Sequence, residues 1–403
     1  MMNRRFFLCA PLLFISMTVA AQQARKIHFK SILIDTHNDI PTTAISDGVS
    51  FDQSLKTKTH SDLQRMKEGG VDAQFFSIWC DGNMKNPFAW ANREIDTVKA
   101  WATRNPTKMV MVNSVKGIKK AARQNKLAAL LGVEGGHMIE NDIQNLIYLH
   151  KSGVRYMTLT WNNSTSWATS AWDETSPPTP LHGVERGEDS VRKKGLTDFG
   201  KEIIRMMNQL GMLIDLSHVG EQTFWDAIAT TTKPVLVSHS CVYTLCPHRR
   251  NLKDEQIKAV AKNGGVIHLN FYSGFLDSTF ETRSDAFTAK HKTEMDSLLK
   301  LNPEPYFMQV YLFERYPDEV KGLRPPMSLL LDHLDYIVKL VGVDHIGLGS
   351  DFDGVNSLPA GLDGVEDFPK ITEELIKRGY SKKDIRKILG GNLLRVFVAN
   401  EKK

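Results

Sequence analysis

The sequence has little cysteine, with four residues in a chain of 403. Cys9 lies in the apolar N-terminal run, so Cys80, Cys241 and Cys246 are the cysteines of the remaining chain. Small secreted domains that depend on disulfides carry more cysteines, in even numbers. The chain is therefore not a disulfide scaffold, and a Cys241–Cys246 disulfide and buried free thiols both remain open as alternatives.

The sequence also lacks any concentration of charge of one sign. Its formal net charge is +5, with 51 lysines and arginines against 46 acidic residues, and no block of like charges is present. Proteins that bind nucleic acid usually carry a basic patch or stripe, so we expect no nucleic-acid partner. Repeats, low-complexity tracts and long linkers are missing as well, which predicts one large domain with insertions.

The longest apolar run is at the N-terminus. A basic start and this run precede Val19-Ala20-Ala21, which resembles a cleavage site. The pattern is typical of a signal peptide, and the run is short for a membrane-spanning helix of about 20 residues. We predict a signal peptide at 1–21 and an exported mature chain at 22–403, periplasmic or extracellular, without a stable membrane anchor. An uncleaved anchor is the alternative, and the charged C-terminus does not resemble a lipid-anchor signal.

Short apolar runs alternate with helical patterns along the rest of the chain. Strands of this kind, separated by helices, indicate a parallel sheet. Eight such units predict an α/β fold that is a single (β/α)8 barrel, rather than a doubly wound sheet. The eight runs are 31–39, 71–80, 127–135, 154–162, 212–219, 234–240, 265–272 and 345–352. The clearer helical patterns are Ala91–Thr103, Val115–Gln124, Thr197–Leu210, Thr223–Thr230, Asp254–Asn263 and Leu329–Val341.

Two long segments interrupt this alternation. Residues 163–196 follow the fourth predicted strand and are polar and rich in turn residues. Residues 273–328 follow the seventh and include a helical pattern. Loops of this size at the carboxyl face of a barrel usually shape or cover a site. We therefore expect both insertions to border the functional site.

Histidines and acidic residues stand at the carboxyl ends of five predicted strands, where barrel enzymes place their catalytic residues. They are His37, Asp39, Glu134, His218, His239 and Asp351. Alternation along a strand predicts that His37 and Asp39 share a face. Each residue alone has a simpler explanation, such as a packed histidine or a capping aspartate. Together, three imidazoles and three carboxylates favour a pair of divalent ions, zinc rather than magnesium or calcium, with Glu134 as the bridge.

Several stretches resemble the membrane (renal) dipeptidase family of zinc metallopeptidases. They occur in family order from residue 31 to about 397 and read IDTHNDIP, GVEGGH, IDLSHV, SHSCVYTLCPHRRN, NFY, GSDFDGV and NLLRVF. The resemblance implies a barrel with two zinc ions per chain that hydrolyses dipeptides, both L-L and L-D. It also suggests a homodimer.

The resemblance also implies a role for individual residues. One zinc ion is expected at His37 and Asp39 and the other at His218 and His239, with Glu134 shared. The expected reaction is attack on the peptide bond by a hydroxide that bridges the two ions, which lower the pKa of the bound water.

The remaining expected site residues act on the substrate. Arg250 stands where the family binds the free carboxylate. Arg249 and Arg250 could instead form an ordinary basic turn, but their place just past the His239 strand favours Arg250 in the site. Asp351 matches the acid that takes the proton of the attacking water and passes it to the leaving amine. Tyr272 is expected to line the pocket, with simple packing at the barrel rim as the alternative.

One position departs from the family pattern. Trp161 stands at the end of the fourth predicted strand, where the family usually has a histidine credited with polarising the scissile carbonyl. An indole N–H donates one hydrogen bond but does not shuttle a proton. We expect Trp161 to contact the substrate as a donor or as a pocket wall, and His182 in the following insertion is a second candidate donor.

Two other functions remain open. Other metal-dependent amidohydrolases, which act on lactones, phosphotriesters or cyclic amides, usually begin with a His-x-His pair and often bridge with a modified lysine. His37-Asn38-Asp39 and Glu134 argue against that group. A peptide-binding barrel without catalysis is favoured only by the exchange at Trp161.

Overall fold

The computed structural model describes residues 22–175, 195–301 and 305–402. The predicted signal peptide and His182 lie outside these residues. The described chain contains a set of parallel strands, which are β1 Leu33–Asp35, β2 Val71–Trp79, β3 Met109–Met111, β4 Leu127–Glu134, β5 Val154–Thr158, β6 Leu213–Asp215, β7 Leu236–Val237, β8 Val266–Leu269 and β9 Ile346–Leu348. All of these except β3 form a closed ring, because β1 pairs with β9 and β2 pairs with β4. This confirms the predicted (β/α)8 barrel.

Strand β3 is the described strand that the predicted apolar runs did not include. It pairs with the first residues of β4, from Leu127 to Ala129. From Leu131 onward β4 pairs with β5 instead. The strand β3 therefore lies beside the barrel, and its three residues are too few to show a period.

The predicted helices are all present, with ends that differ by a few residues. The α-helices are Ile40–Asp47, Leu63–Glu68, Pro87–Arg104, Val115–Arg123, Ile143–Ser152, Ala171–Thr175, Asp198–Leu210, Glu221–Thr230, Asp254–Lys262, Ser273–Leu276, Phe280–Lys290, Lys292–Leu299, Pro305–Arg315, Pro317–Lys321, Met327–Val341, Phe368–Lys377, Lys382–Arg386 and Asn392–Asn400. Short 3₁₀ turns are present at Gly136–Ile139, Val343–His345 and Val365–Asp367, and a π-helical turn at Lys387–Gly391. Residues 22–28 are helical as well. Local signals explain many of the ends: Thr197 caps the Gly200 N–H, and Gly211 ends that helix with φ of 76°.

Alternate residues of the strands pack into two separate apolar clusters. In β4, Ala128 and Leu130 face the barrel interior, whereas Ala129 and Leu131 pack with the surrounding helices. Tyr156 fills the interior beside Gly132, where an added Cβ atom would lie 2.0 Å from the tyrosine ring. A glycine is therefore required there, and the Tyr156 hydroxyl reaches the carboxyl end of the barrel.

The segment between β8 and β9 forms a small helical unit. Its predicted helical stretch divides at His291 into two helices, Phe280–Lys290 and Lys292–Leu299. The unit has a hydrophobic cluster of its own, with Phe287 and Leu312 among its buried members. Within the described ranges, no helix is both long enough and apolar enough to cross a membrane.

Candidate metal centre

Glu134 stands at the centre of the predicted polar residues. Its Oε2 atom lies 3.3 Å from His37 Nε2. Its Oε1 atom lies 2.9 Å from His218 Nε2 and 3.4 Å from His239 Nε2. The two carboxylate oxygens thus face two different groups of ligand atoms, which is the arrangement that a bridging carboxylate needs.

Two more carboxylates lie on the His37 side. His37 Nε2 is 3.4 Å from Asp39 Oδ2 and 3.9 Å from Asp351 Oδ1. Backbone hydrogen bonds hold these residues together, because the Asp39 N–H donates to Phe352 O at 2.9 Å and the Asp351 N–H donates to His37 O at 3.2 Å. The six predicted residues are therefore brought together at one end of the barrel.

The reason that the sequence suggested for His37 and Asp39 was wrong. Strand β1 ends at Asp35, and Asp39 is the residue before helix Ile40–Asp47. The two side chains therefore do not alternate along a strand, and they meet because the chain turns from the strand into the helix. Of the six residues, Glu134 alone lies within a strand.

The hydrogen bonds of His37 and His218 decide which ring nitrogen carries hydrogen. The Tyr156 hydroxyl donates to Thr36 O at 3.1 Å, so its oxygen accepts from His37 Nδ1 at 2.9 Å. The Asn162 Oδ1 atom accepts from His218 Nδ1 at 3.0 Å. In both rings Nδ1 is the donor, which leaves Nε2 facing the centre with its lone pair.

His239 follows the same pattern through a different partner. Its Nδ1 atom lies 2.7 Å from Ser238 Oγ, and the Ser238 hydroxyl donates to Asp215 Oδ2 at 2.6 Å. Its Nε2 atom is 2.9 Å from His218 Nε2, so two acceptor nitrogens face each other. Facing lone pairs of this kind are stabilised by a cation.

Several buried polar atoms support the same reading. Among the residues that the structure describes, His37 Nε2 and both carboxylate oxygens of Asp39 are buried without a hydrogen-bond partner. Unpartnered buried polar groups are costly in a folded protein. Imidazole nitrogens and carboxylate oxygens are the ligands that zinc and related divalent ions prefer. The residues present therefore fit a metal site.

The electrostatics of the centre also favour a cation. Burial lowers the pKa of His218 to about 3, which keeps the ring neutral. Burial also lowers the pKa of His37, but Tyr156, Glu134 and Asp39 outweigh it and hold that pKa well above its usual value. The negative surroundings that raise the pKa of His37 also attract a metal ion.

Arg250 is a buried cation next to this centre. Within the described part of the chain its guanidinium donates to Ser240 Oγ at 3.3 Å and to His239 O at 3.2 Å, and its Nε has no partner. Burial lowers its pKa to about 10. Arg249 is exposed and stacks on Trp172, with its guanidinium carbon 4.2 Å from the ring centroid. The two neighbouring arginines thus differ, and only Arg250 is placed to bind an anion in the site.

Comparison with known proteins identifies the family. A family model for membrane dipeptidases, peptidase family M19, matches residues 21–403. The chain belongs to this family. It is a metallo-dipeptidase, a hydrolase that cleaves dipeptides with the help of metal ions.

Solved structures share the fold along more than nine-tenths of the chain. The probable dipeptidase PvdM from Pseudomonas aeruginosa is 22% identical, with a TM-score of 0.76, over 95% of this chain and 98% of that one. A metallopeptidase from Rhodobacter sphaeroides, liganded with a phosphinate mimic of L-Ala-D-Ala, is 21% identical, with a TM-score of 0.72, over 92% and 100%. A dipeptidase of family M19 is 22% identical, with a TM-score of 0.72, over 92% of this chain and 98% of that one.

Trp161 stands at the rim of this dipeptidase site. Its indole packs edge-to-face on Trp79, with ring centroids 5.0 Å apart. Trp79 pairs in register with Glu134 on one side, and Thr158, three residues before Trp161, pairs with it on the other. The two tryptophans therefore flank the strand that ends in Glu134, and Asn162, next in sequence, contacts His218.

Tyr272 and Asn270 follow strand β8. The Tyr272 hydroxyl donates to Glu281 Oε1 at 2.9 Å, and its ring packs on Phe275 at 5.0 Å between centroids. Asn270 Nδ2 donates to Asp351 Oδ2 at 2.7 Å. Asn270 was not predicted as a site residue, although its place directly after a barrel strand was the available signal.

The three cysteines of the described chain are free and buried. The Cys241 thiol donates to Asn270 O at 3.2 Å and the Cys246 thiol donates to Gly274 O at 3.3 Å. Of the two alternatives, the structure has the buried free thiols.

Proposed function

We propose that this dipeptidase binds two zinc ions and uses them to hydrolyse dipeptides with an L- or a D-residue at the C-terminal position. The observation that carries the proposal is the placement of three imidazole Nε2 atoms around the separate oxygens of Glu134. His37 and Asp39 would hold one ion and His218 and His239 the other, with Glu134 shared. The three imidazoles favour zinc over magnesium or calcium.

The bound ions would supply an activated water and positive charge at the scissile carbonyl. Asp351 would move the proton. Its Oδ2 atom is held by Asn270, and its Oδ1 atom faces His37. In the metal-free chain burial raises the pKa of Asp351 to about 8, with a further contribution from Asp39. Asp351 would take the proton of the attacking water and deliver it to the leaving amine.

The substrate is held by groups beside the metal residues. The Arg250 guanidinium would bind the terminal carboxylate with two parallel hydrogen bonds, which orients the peptide bond and selects substrates with a free C-terminus. Trp161 would contact the substrate at the other side of Glu134, as a single hydrogen-bond donor or as a wall. Tyr272 would line the carboxylate side, near Phe275, which lies 5.4 Å from the Arg250 guanidinium carbon.

The substrate range and the compartment are further parts of the proposal. The relative from Rhodobacter sphaeroides was liganded with a mimic of L-Ala-D-Ala, and we extend that substrate type to this chain. Residues 1–21 would be removed on export, and residues 22–403 would form the periplasmic or extracellular enzyme. A homodimer stays a prediction of the family resemblance.

The test is a metal assay combined with a substrate panel. Purified 22–403 should contain close to two zinc ions per chain by mass spectrometry of the metal. It should cleave dipeptides with L- and D-residues at the C-terminal position, lose the activity in chelator and regain it with zinc. Full activity without metal would refute the proposal. Zinc-loaded protein that binds dipeptides and leaves them intact would favour a peptide-binding barrel.

A further inference from the structure

Asp215 is a buried carboxylate at the end of strand β6. Its Oδ1 atom accepts hydrogen bonds from the Ser238 N–H at 2.8 Å and from the Ser217 N–H and hydroxyl, both at 3.2 Å. Its Oδ2 atom accepts from the Ser238 and Thr158 hydroxyls, both at 2.6 Å. All of these donors are neutral, so the negative charge is not cancelled by a contacting cation within the described residues.

One of these donors also contacts the metal centre. Ser238 Oγ lies 2.7 Å from His239 Nδ1. Since the hydroxyl hydrogen of Ser238 points to Asp215, the serine oxygen accepts the Nδ1 hydrogen. A continuous chain of hydrogen bonds therefore leads from the carboxylate through the hydroxyl to the imidazole, whose Nε2 atom faces Glu134.

Within the described ranges, the other two histidines of the centre lack such a connection to a carboxylate. His37 Nδ1 donates to the Tyr156 phenol, and His218 Nδ1 donates to the Asn162 amide. Both of those partners are neutral. Negative charge behind an imidazole donor makes the ring a stronger metal ligand and fixes its orientation. His239 is thus distinguished from its two neighbours.

A second aspartate in the barrel shows what part of the arrangement is structural. Asp35, at the end of β1, accepts from the Ser350 N–H at 2.8 Å and from the Ser350 hydroxyl at 2.6 Å. The contact between Asp215 and Ser238 joins β6 to β7, and this contact joins β1 to β9 in the same way. Ser350 makes no hydrogen bond to a histidine ring in the described chain. The aspartate–serine pair thus joins strands at two places, and the contact to His239 is additional.

We propose that Asp215 is a positioning residue of the metal centre. It acts through Ser238 to hold His239 in the metal-binding tautomer, and it thereby strengthens the binding of the ion at His218 and His239. The inference rests on the proposed function, because it requires His239 to be a ligand. It predicts that the affinity of the ion at His218 and His239 depends on this chain of hydrogen bonds more than the affinity of the other ion does.

Two substitutions with matched structural effects test the inference. Ser238→Ala and Thr158→Val each remove one hydroxyl that lies 2.6 Å from the same oxygen of Asp215. Of the two, Ser238 alone is hydrogen-bonded to a histidine ring within the described residues. Metal-free proteins would be titrated with zinc against a competing chelator, and with cobalt(II) to record the visible spectrum. Ser238→Ala should lower the affinity for the ion at His218 and His239 by about 10- to 100-fold and should change the cobalt spectrum. Thr158→Val should leave both affinities within about twofold of the wild type.

A second variant protects the test against misfolding. Asp215→Asn keeps the shape of the side chain and should weaken the same ion, and combining it with Ser238→Ala should add little, because the two residues act as a unit. Thermal unfolding of the metal-free proteins should show similar losses of stability for Ser238→Ala and Thr158→Val.

The outcomes separate this inference from the proposed function. Equal weakening of zinc binding by Thr158→Val and Ser238→Ala would show a purely structural role for Asp215 and overturn the inference. Unchanged zinc affinity in Ser238→Ala and Asp215→Asn would also overturn it, while two zinc ions in the wild type would still support the proposed function. Wild-type protein that binds no zinc would overturn both.

Discussion

Replacing Arg250 with methionine should lower activity without lowering stability. In the free protein the buried guanidinium has hydrogen bonds of 3.2 and 3.3 Å to uncharged groups, and its Nε atom has no partner among the described residues. Burying a cation without a paired anion costs free energy, and an apolar residue of similar length removes that cost. We therefore expect the free energy of unfolding to stay constant or to rise by about 1 kcal/mol.

The effect on catalysis has the opposite sign. With a dipeptide bound, the substrate carboxylate would be buried against the methionine instead of the guanidinium. Removing one partner of a buried, hydrogen-bonded charge pair costs about 2–5 kcal/mol. One decade in rate corresponds to about 1.4 kcal/mol, so kcat/KM should fall by roughly 30- to 4,000-fold.

The assay compares two arginines and two substrates. Arg249→Met makes the same change at the neighbouring exposed residue and should leave kcat/KM near the wild-type value. Each zinc-loaded enzyme would be assayed with a dipeptide and with its C-terminal amide, which lacks the negative charge. The wild type and Arg249→Met should prefer the acid strongly, and Arg250→Met should show little preference. Urea unfolding of the same samples gives the stability.

Two results would refute the reasoning. An unchanged preference of Arg250→Met for the acid would show that another group binds the carboxylate. A loss of several kcal/mol in the free energy of unfolding would show that the hydrogen bonds to Ser240 and His239 O make Arg250 a structural residue.

Three further predictions concern the metal, the proton and pH. Glu134→Gln should lower the affinity for both ions more than about 10-fold, because both ions would share this carboxylate. The zinc content after gel filtration measures this loss. Asp351→Asn should keep its zinc and lower kcat by about 10²–10⁴-fold, and unchanged kcat would remove its role. Burial lowers the pKa of His333 to about 4 from 6.5, so the unfolded chain takes up this proton first as pH falls. The free energy of unfolding of the metal-free protein should therefore fall by up to about 3 kcal/mol between pH 6.5 and pH 4 because of this residue. His333→Gln should not show this part of the loss when urea unfolding is measured at both pH values.

The barrel was predictable because its signals are local. Each ring strand is a short apolar run, and the polar residue that follows it is visible in the sequence, as in Glu134 at the end of β4. Parallel strands bring such residues to the same edge without any further information. Strand β3 could not be predicted, since three residues beside β4 carry no period and depend on the pairing itself.

The partners of the site residues were not predictable in the same way. Asn162, Asn270 and Asp215 act through hydrogen bonds to residues that are distant in the sequence, such as Asn270 to Asp351. An asparagine after a strand is compatible with a turn, a cap or a solvated end, and nothing local separates these. Which side chain it reaches is decided by how neighbouring strands are staggered, and that is known only once the barrel is closed.

Backbone strain is the last feature that the sequence concealed. His218 and Asp351 both have φ of 62°, the left-handed region that residues with a Cβ atom rarely adopt, at a cost of about 1–3 kcal/mol each. Fixed hydrogen bonds hold both: the Ala171 N–H donates to His218 O at 2.8 Å, and the Asp351 N–H donates to His37 O at 3.2 Å. Glycine at either position would relieve the backbone but remove the side chain that faces Glu134 or His37. The strain therefore persists where it directs side chains into the centre, and the stability of the closed barrel offsets it.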